Sequence, residues 1–105
     1  MSVKIYHKLI RDRIPEIIEA TGSSCVTRVL SDEEYLSLVD AKLDEELAEY
    51  HKDQTPEELA DLLEVIYAAA AARGCSAEVL DRLRAEKAAQ RGRFEKKLLL
   101  LEVRQ

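Results

Sequence analysis

The sequence predicts a mainly α protein: a helical bundle built on an antiparallel helical hairpin and completed by dimerisation. A minor two-stranded β element is expected at about 25–30 and 98–103. Three observations carry this reading. Glycine and proline are scarce (three and two residues), tryptophan is absent and Ala, Leu and Glu are plentiful, a composition that favours helix. Two helix-opening signals, Ser31-Asp-Glu-Glu34 and Thr55-Pro-Glu-Glu58, each precede a long run with helical apolar spacing. The connection between those runs, His51-Lys-Asp-Gln-Thr55, is short enough to send the second helix back along the first. At 105 residues the chain fits one domain, 1–105, with a single modest core, and no repeat or linker divides it.

The elements follow in order. Pro15 suits the first helical position and Gly22 the residue just past a helix, so 15–21 reads as a short helix. Cys25-Val-Thr-Arg-Val-Leu30 is β-branched and bounded by turn residues, which reads as a strand. The helix opened at Ser31 carries Leu36, Val39, Leu43, Leu47 and Tyr50 as one apolar stripe. At ~100° per residue, Lys42, Glu46 and Glu49 form a polar ridge beside that stripe rather than on the far side. The helix over 56–73 is apolar nearly all round and ends at Gly74; one short chain has too few other helices to cover it, so a partner copy is expected. Asp61 and Glu64 interrupt its apolar surface, and buried carboxylates need a partner or a metal. Ser76 caps a last helix running to about Arg91, with Val79, Leu80 and Leu83 inward. Beyond Gly92, the segment 97–103 reads as the second strand.

The chemistry lies in two carboxylate pairs, Glu46/Glu49 and Glu58/Asp61, each spaced i, i+3 and so presented on one helix face. In an antiparallel hairpin, residues equidistant from the turn lie opposite one another. Glu49 is then expected to face Glu58, and Glu46 to face Asp61. Four carboxylates gathered this closely repel unless a cation lies between them. Taken alone, Glu58 reads equally well as the acid of its own capping box, and Glu33, Glu45 and Glu57 as solvated surface. His7 and His51 are lone histidines outside any ligand cluster.

Charge is segregated along the chain. Residues 32–64 hold 13 acidic side chains against Lys42 and Lys52, a balance of −11. Residues 81–97 hold seven Lys and Arg against Asp81, Glu86 and Glu95, a balance of +4. Two readings fit: acidic and basic helices as mutually attractive packing partners, or a metal-loaded wall facing phosphate clamps. Nucleic-acid binding is disfavoured by a net charge of −5 and a small basic face. No apolar run is long enough to span a bilayer, the first residues lack the apolar core of a signal peptide, and Cys25 and Cys75 read as free buried thiols; a cytoplasmic location is expected. No Cys/His or Ser/His arrangement points to a nucleophilic enzyme, and no Gly-rich phosphate loop is present. Metal-assisted hydrolysis is the chemistry that remains.

An ExxE pair followed by an ExxD pair on a helical hairpin resembles the all-α nucleoside triphosphate pyrophosphohydrolase superfamily, which includes MazG-like and phosphoribosyl-ATP pyrophosphohydrolase-like proteins. The ordered set Lys8-Leu-Ile-Arg-Asp-Arg-Ile-Pro15, Leu30-Ser-Asp-Glu-Glu-Tyr35, Glu57-Glu-Leu-Ala-Asp-Leu-Leu-Glu-Val-Ile66 and Arg91-Gly-Arg-Phe94 resembles a small stand-alone "house-cleaning" branch. The resemblance implies Mg²⁺ ligands at Glu46, Glu49, Glu58 and Asp61, helical bundling and a homodimer or higher homo-oligomer. Two features depart from the branch: the connection between Glu49 and Glu58 is shorter than in many members, and Arg93 stands where a second glycine is usual, which is expected to strain the turn.

The expected activity is Mg²⁺- or Mn²⁺-dependent cleavage of a non-standard nucleoside triphosphate to the monophosphate and pyrophosphate. Glu46 or Glu49 would orient or deprotonate the water, and Lys8, Arg11, Arg13, Lys42, Lys87 and Arg91 would offset phosphate charge. Phe94 is a candidate to stack on a base. Two other readings stay open: a non-catalytic metal-binding helical interaction module, and cleavage of phosphoribosyl-ATP.

Overall fold

The computed structural model describes residues 2–105 and contains four helices: α1 (Ile14–Ala20), α2 (Asp32–Asp53), α3 (Pro56–Ala72) and α4 (Ala77–Arg91). Each of the three long helices starts where a hydroxyl side chain satisfies an otherwise orphaned backbone N–H. Ser31 accepts from the Glu34 amide and Glu34 accepts from the Ser31 amide, completing a reciprocal box. Arg28 adds a two-pronged ion pair to Glu34 at 3.0 and 2.7 Å, tying the chain before α2 onto its first turn. Thr55 accepts from the Glu58 amide, and Ser76 from the Val79 amide. Pro15 and Pro56 lie in the first turns of α1 and α3, where a missing N–H costs nothing.

The helix ends are equally local in origin. At α3, the amides of Gly74 and Cys75 donate back to the carbonyls of Ala71 and Ala70, the doubly bonded cap that a left-handed glycine permits. At α2 the reversal is tighter than the sequence suggests. The helix runs on through His51 and Lys52 to Asp53, and Gln54 closes it in the left-handed region (φ 54°) with its amide on the Tyr50 carbonyl. Only Gln54 and Thr55 separate α2 from α3.

Side by side, α2 and α3 form the packed heart of the chain, with α4 against α3. Cross-helix neighbours run in opposite order: Glu49 with Glu58, then Glu46 with Asp61, then Asp40 with Arg73 at 3.3 Å. Val39 is fully buried, and Leu36, Leu43, Tyr50, Leu62 and Val65 are half-buried along α2 and α3. Ion pairs from Lys8 to Glu45 and from Arg11 to Asp61 link the N-terminal segment to α2 and α3, while α1 packs against no other helix.

Several expectations change. No strand forms among the described residues; 25–30 and 98–103 are irregular, and Val26, Val29 and Leu98–Leu101 stand exposed. A strand needs a partner for its backbone groups, and the single chain does not bring these segments together. Val79 and Leu83 of α4 are 39% and 48% exposed rather than inward, and Glu64 is exposed rather than buried. Leu47 is also only partly covered. Arg93 is not in the left-handed region, so its side chain adds none of the strain expected there; Gly92 alone takes that conformation at the end of α4. Cys25 and Cys75 are free and half-buried.

Much apolar surface remains uncovered. Leu59, Leu63 and Ile66 on one face of α3 are 46%, 46% and 36% exposed. The radius of gyration is 18.5 Å, against about 13 Å for a compact domain of this length. Among the described residues, no helix is long and apolar enough to cross a membrane.

Candidate metal centre

The turn at Gln54–Thr55 sets the register that brings the carboxylates together. Glu46, Glu58 and Asp61 each offer an oxygen within 4.8 Å of the others, and Glu49, Asp53 and Glu58 form a second such group. Glu58 belongs to both. The four carboxylates expected from the sequence thus lie in two overlapping groups along the α2–α3 seam, with Glu46, Glu58 and Asp61 half-buried and Glu49 exposed.

Glu58 separates site from scaffold. In α2 the equivalent residue, Glu34, spends its carboxylate on the Ser31 amide and Arg28. In α3 the Thr55 hydroxyl caps the Glu58 amide, but the Glu58 carboxylate makes no return bond and is grouped with Glu46 and Asp61 instead. Its pKa is raised, first by desolvation and then by repulsion from Asp53, Asp61, Glu49 and Glu46. Glu34 shows the opposite: hydrogen bonds from Arg28 and Ser31 hold its pKa down at about 2.

The basic residues divide. Arg11 donates to Asp61 at 2.9 Å, and Lys42, only 14% exposed, lies 3.6 Å from Glu46. Lys8 and Lys42 both reach Glu45 at 3.3 Å. Partial burial pushes the Glu45 carboxyl up, but hydrogen bonds from Lys42 and Lys8 outweigh it and leave its pKa lowered. Arg13 pairs with its helical neighbour Glu16 instead of the cluster. Lys87 and Arg91 lie exposed on α4 and form no ion pair with the carboxylates.

Two participants were not legible as such. Glu45, which reads as solvated surface, bridges two lysines, and the Lys42–Glu45 spacing of i, i+3 is its one sequence signal. Asp53, which reads as loop, joins Glu49 and Glu58 because α2 extends further than expected. A cavity of about 60 Å³ lies beside the Lys8–Glu45 pair, lined by His7, Leu9, Leu38, Ala41 and Lys42 as well. A shallow groove of about 380 Å³ lies between Asp32, Tyr35 and Leu36 of α2 and Ala71 and Ala72 of α3. Neither contains a member of the carboxylate groups.

The donor set fits a hard divalent cation. Convergent carboxylate oxygens with no sulfur or imidazole suit Mg²⁺ or Mn²⁺, and the uncompensated repulsion at Glu58 is what a bound dication would relieve.

No family model matches the chain, and no solved structure matches it. An uncharacterized protein of Mycolicibacterium smegmatis (strain ATCC 700084 / mc(2)155) is 56% identical over 48 residues. The match covers 46% of this chain and 49% of that protein, so the chain spans about half the length of the curated relative.

Proposed function

We propose that the protein is a Mg²⁺-dependent nucleotide pyrophosphohydrolase, cleaving a non-standard nucleoside triphosphate to the monophosphate and pyrophosphate. The observation that carries the reading is the convergence of Glu46, Glu58 and Asp61 from two helices, with Glu58 released from its capping role. In this reading α2 and α3 act as an antiparallel hairpin whose seam holds Mg²⁺, or Mn²⁺ in its place, through Glu46, Glu49, Glu58 and Asp61.

A bound Mg²⁺ supplies Lewis-acid polarisation of phosphate oxygens and a lowered pKa for coordinated water. The chain supplies the rest. Glu46 or Glu49 orients the attacking water and takes its proton as the phosphoanhydride bond breaks. Lys42, 3.6 Å from Glu46, helps to hold that carboxylate in position. Lys8 and Arg11 lie beside the cluster and are placed to offset phosphate charge. Arg13, Lys87 and Arg91, which form no ion pair with the carboxylates, would contribute to phosphate binding through a change in the N-terminal segment or α4, or from a second copy.

The working form is a homodimer or higher homo-oligomer in the cytoplasm. The uncovered α3 face and the expanded shape of the single chain support association. Release of pyrophosphate from a panel of nucleoside triphosphates, with Mg²⁺ and with chelator, tests the proposal.

A further inference from the structure

We infer that Arg11 is a cation-responsive phosphate clamp, closed on Asp61 while the carboxylates hold no divalent ion and freed toward the substrate's phosphate when Asp61 becomes a metal ligand. The inference rests on the metal-dependent nucleotide reading above and adds an order to it: metal first, then the arginine.

Three observations support it. The Arg11 Nη2–Asp61 Oδ1 distance is 2.9 Å, and Asp61 belongs to the same group as Glu46 and Glu58. The guanidinium therefore pairs with a carboxylate that a dication in that group would also claim. The pair is weakly held, with side chains 57% and 47% exposed, so a divalent ion can displace it. Arg11 also lies in the irregular segment before α1, and α1 packs against no other helix, so the side chain can leave Asp61 without disturbing a packed interface. Arg13 and Lys8 differ, because their partners Glu16 and Glu45 lie outside both carboxylate groups. Once parted from Asp61, a guanidinium beside a metal-bound phosphate has the planar fork that phosphate oxygens match.

The test uses the full chain and two readouts besides turnover. Mn²⁺ binding is followed by the loss of its free paramagnetic resonance signal, and the Arg11 Nε–Hε resonance is followed by NMR as Mg²⁺ is added without nucleotide. The expected results are Mn²⁺ binding tightened roughly two- to five-fold by Arg11→Ala, unchanged by Arg84→Ala, and an Arg11 resonance that moves with Mg²⁺ toward its position in Asp61→Asn. Arg11→Ala should also weaken a non-hydrolysable triphosphate analogue in the presence of Mg²⁺. Mn²⁺ binding with an Arg11 resonance that ignores Mg²⁺, or with Arg11→Ala binding no tighter, overturns the clamp and leaves the metal site standing. No Mn²⁺ binding by the wild-type chain overturns the metal-dependent reading, and the clamp with it.

Discussion

Glu46 and Asp61 come from different helices yet bring carboxylate oxygens within 4.8 Å of each other. Glu46 is held by Lys42 and Asp61 by Arg11, so each acid of the pair already has one cation of the chain at hand. If the pair shares a metal, neutralising either member removes a ligand and not merely a surface charge. Glu46→Gln and Asp61→Asn should each lower pyrophosphate release by at least about 100-fold. Far-UV circular dichroism should stay at the wild-type level. Retained activity in both variants would remove these residues from the site.

Metal should stabilise the fold, because only the folded chain assembles these oxygens. At a free Mg²⁺ concentration 100 times Kd, the gain should be about 2.7 kcal/mol. Thermal unfolding with Mg²⁺ and with chelator measures it. In a Glu46→Gln/Asp61→Asn double variant the two curves should coincide.

The pH dependence has two parts of opposite sign. Glu58 has a raised pKa, so the folded chain holds its proton more tightly than the unfolded chain does. Its contribution to stability is therefore greatest below the ordinary carboxylate pKa and is lost as pH rises through the folded value. Glu34 is lowered from 4.5 to about 2, so its contribution is present above 4.5 and is lost as pH falls toward 2. In chelator, Glu58→Gln should flatten the fall in stability on the rising side, and Glu34→Gln the fall on the acid side. Mn²⁺ affinity should drop as pH is lowered through the Glu58 titration, since ligands must be ionised. Denaturant midpoints and Mn²⁺ titrations across pH check both.

The reversal at Gln54 offers a stability test independent of metal. A non-glycine residue in the left-handed region is disfavoured by about 1 kcal/mol, and Gln54 takes φ 54°. Gln54→Gly should raise the unfolding free energy by up to about 1 kcal/mol, whereas Ser31→Ala, which removes the cap of α2, should lower it by about 1 kcal/mol. Equilibrium urea unfolding reads both changes.

The proposed association would use the exposed α3 face. Light scattering should give a dimer or larger, and Leu63→Lys, which places a charge at the middle of that face, should shift the population toward monomer. A stable wild-type monomer would contradict the expectation.

What could be read from the sequence follows the range of the forces involved. Helix starts at Ser31, Thr55 and Ser76 were legible because a cap is decided within four residues. The same holds for the end at Gly74. The end of α2 is not legible in the sequence because Gln54 takes a conformation that glycine usually marks, and the added turn carries Asp53 into a carboxylate group. The strands expected at 25–30 and 98–103 rest on β-branched and leucine-rich runs, which report only that a segment can be covered. Whether anything covers Val26 or Leu98 is a long-range matter, and the single chain leaves both exposed. The carboxylate pairs were legible because i, i+3 spacing and a short turn fix their heights, whereas the reach of Lys87 and Arg91 depends on where α4 travels.

The central claim is metal-dependent cleavage of a phosphoanhydride, and the direct measurement is pyrophosphate release from a panel of ordinary and damaged nucleoside triphosphates. The account predicts release with Mg²⁺ from at least one member, abolished by chelator and by Asp61→Asn. No release from any member by folded, Mg²⁺-bound protein would contradict it.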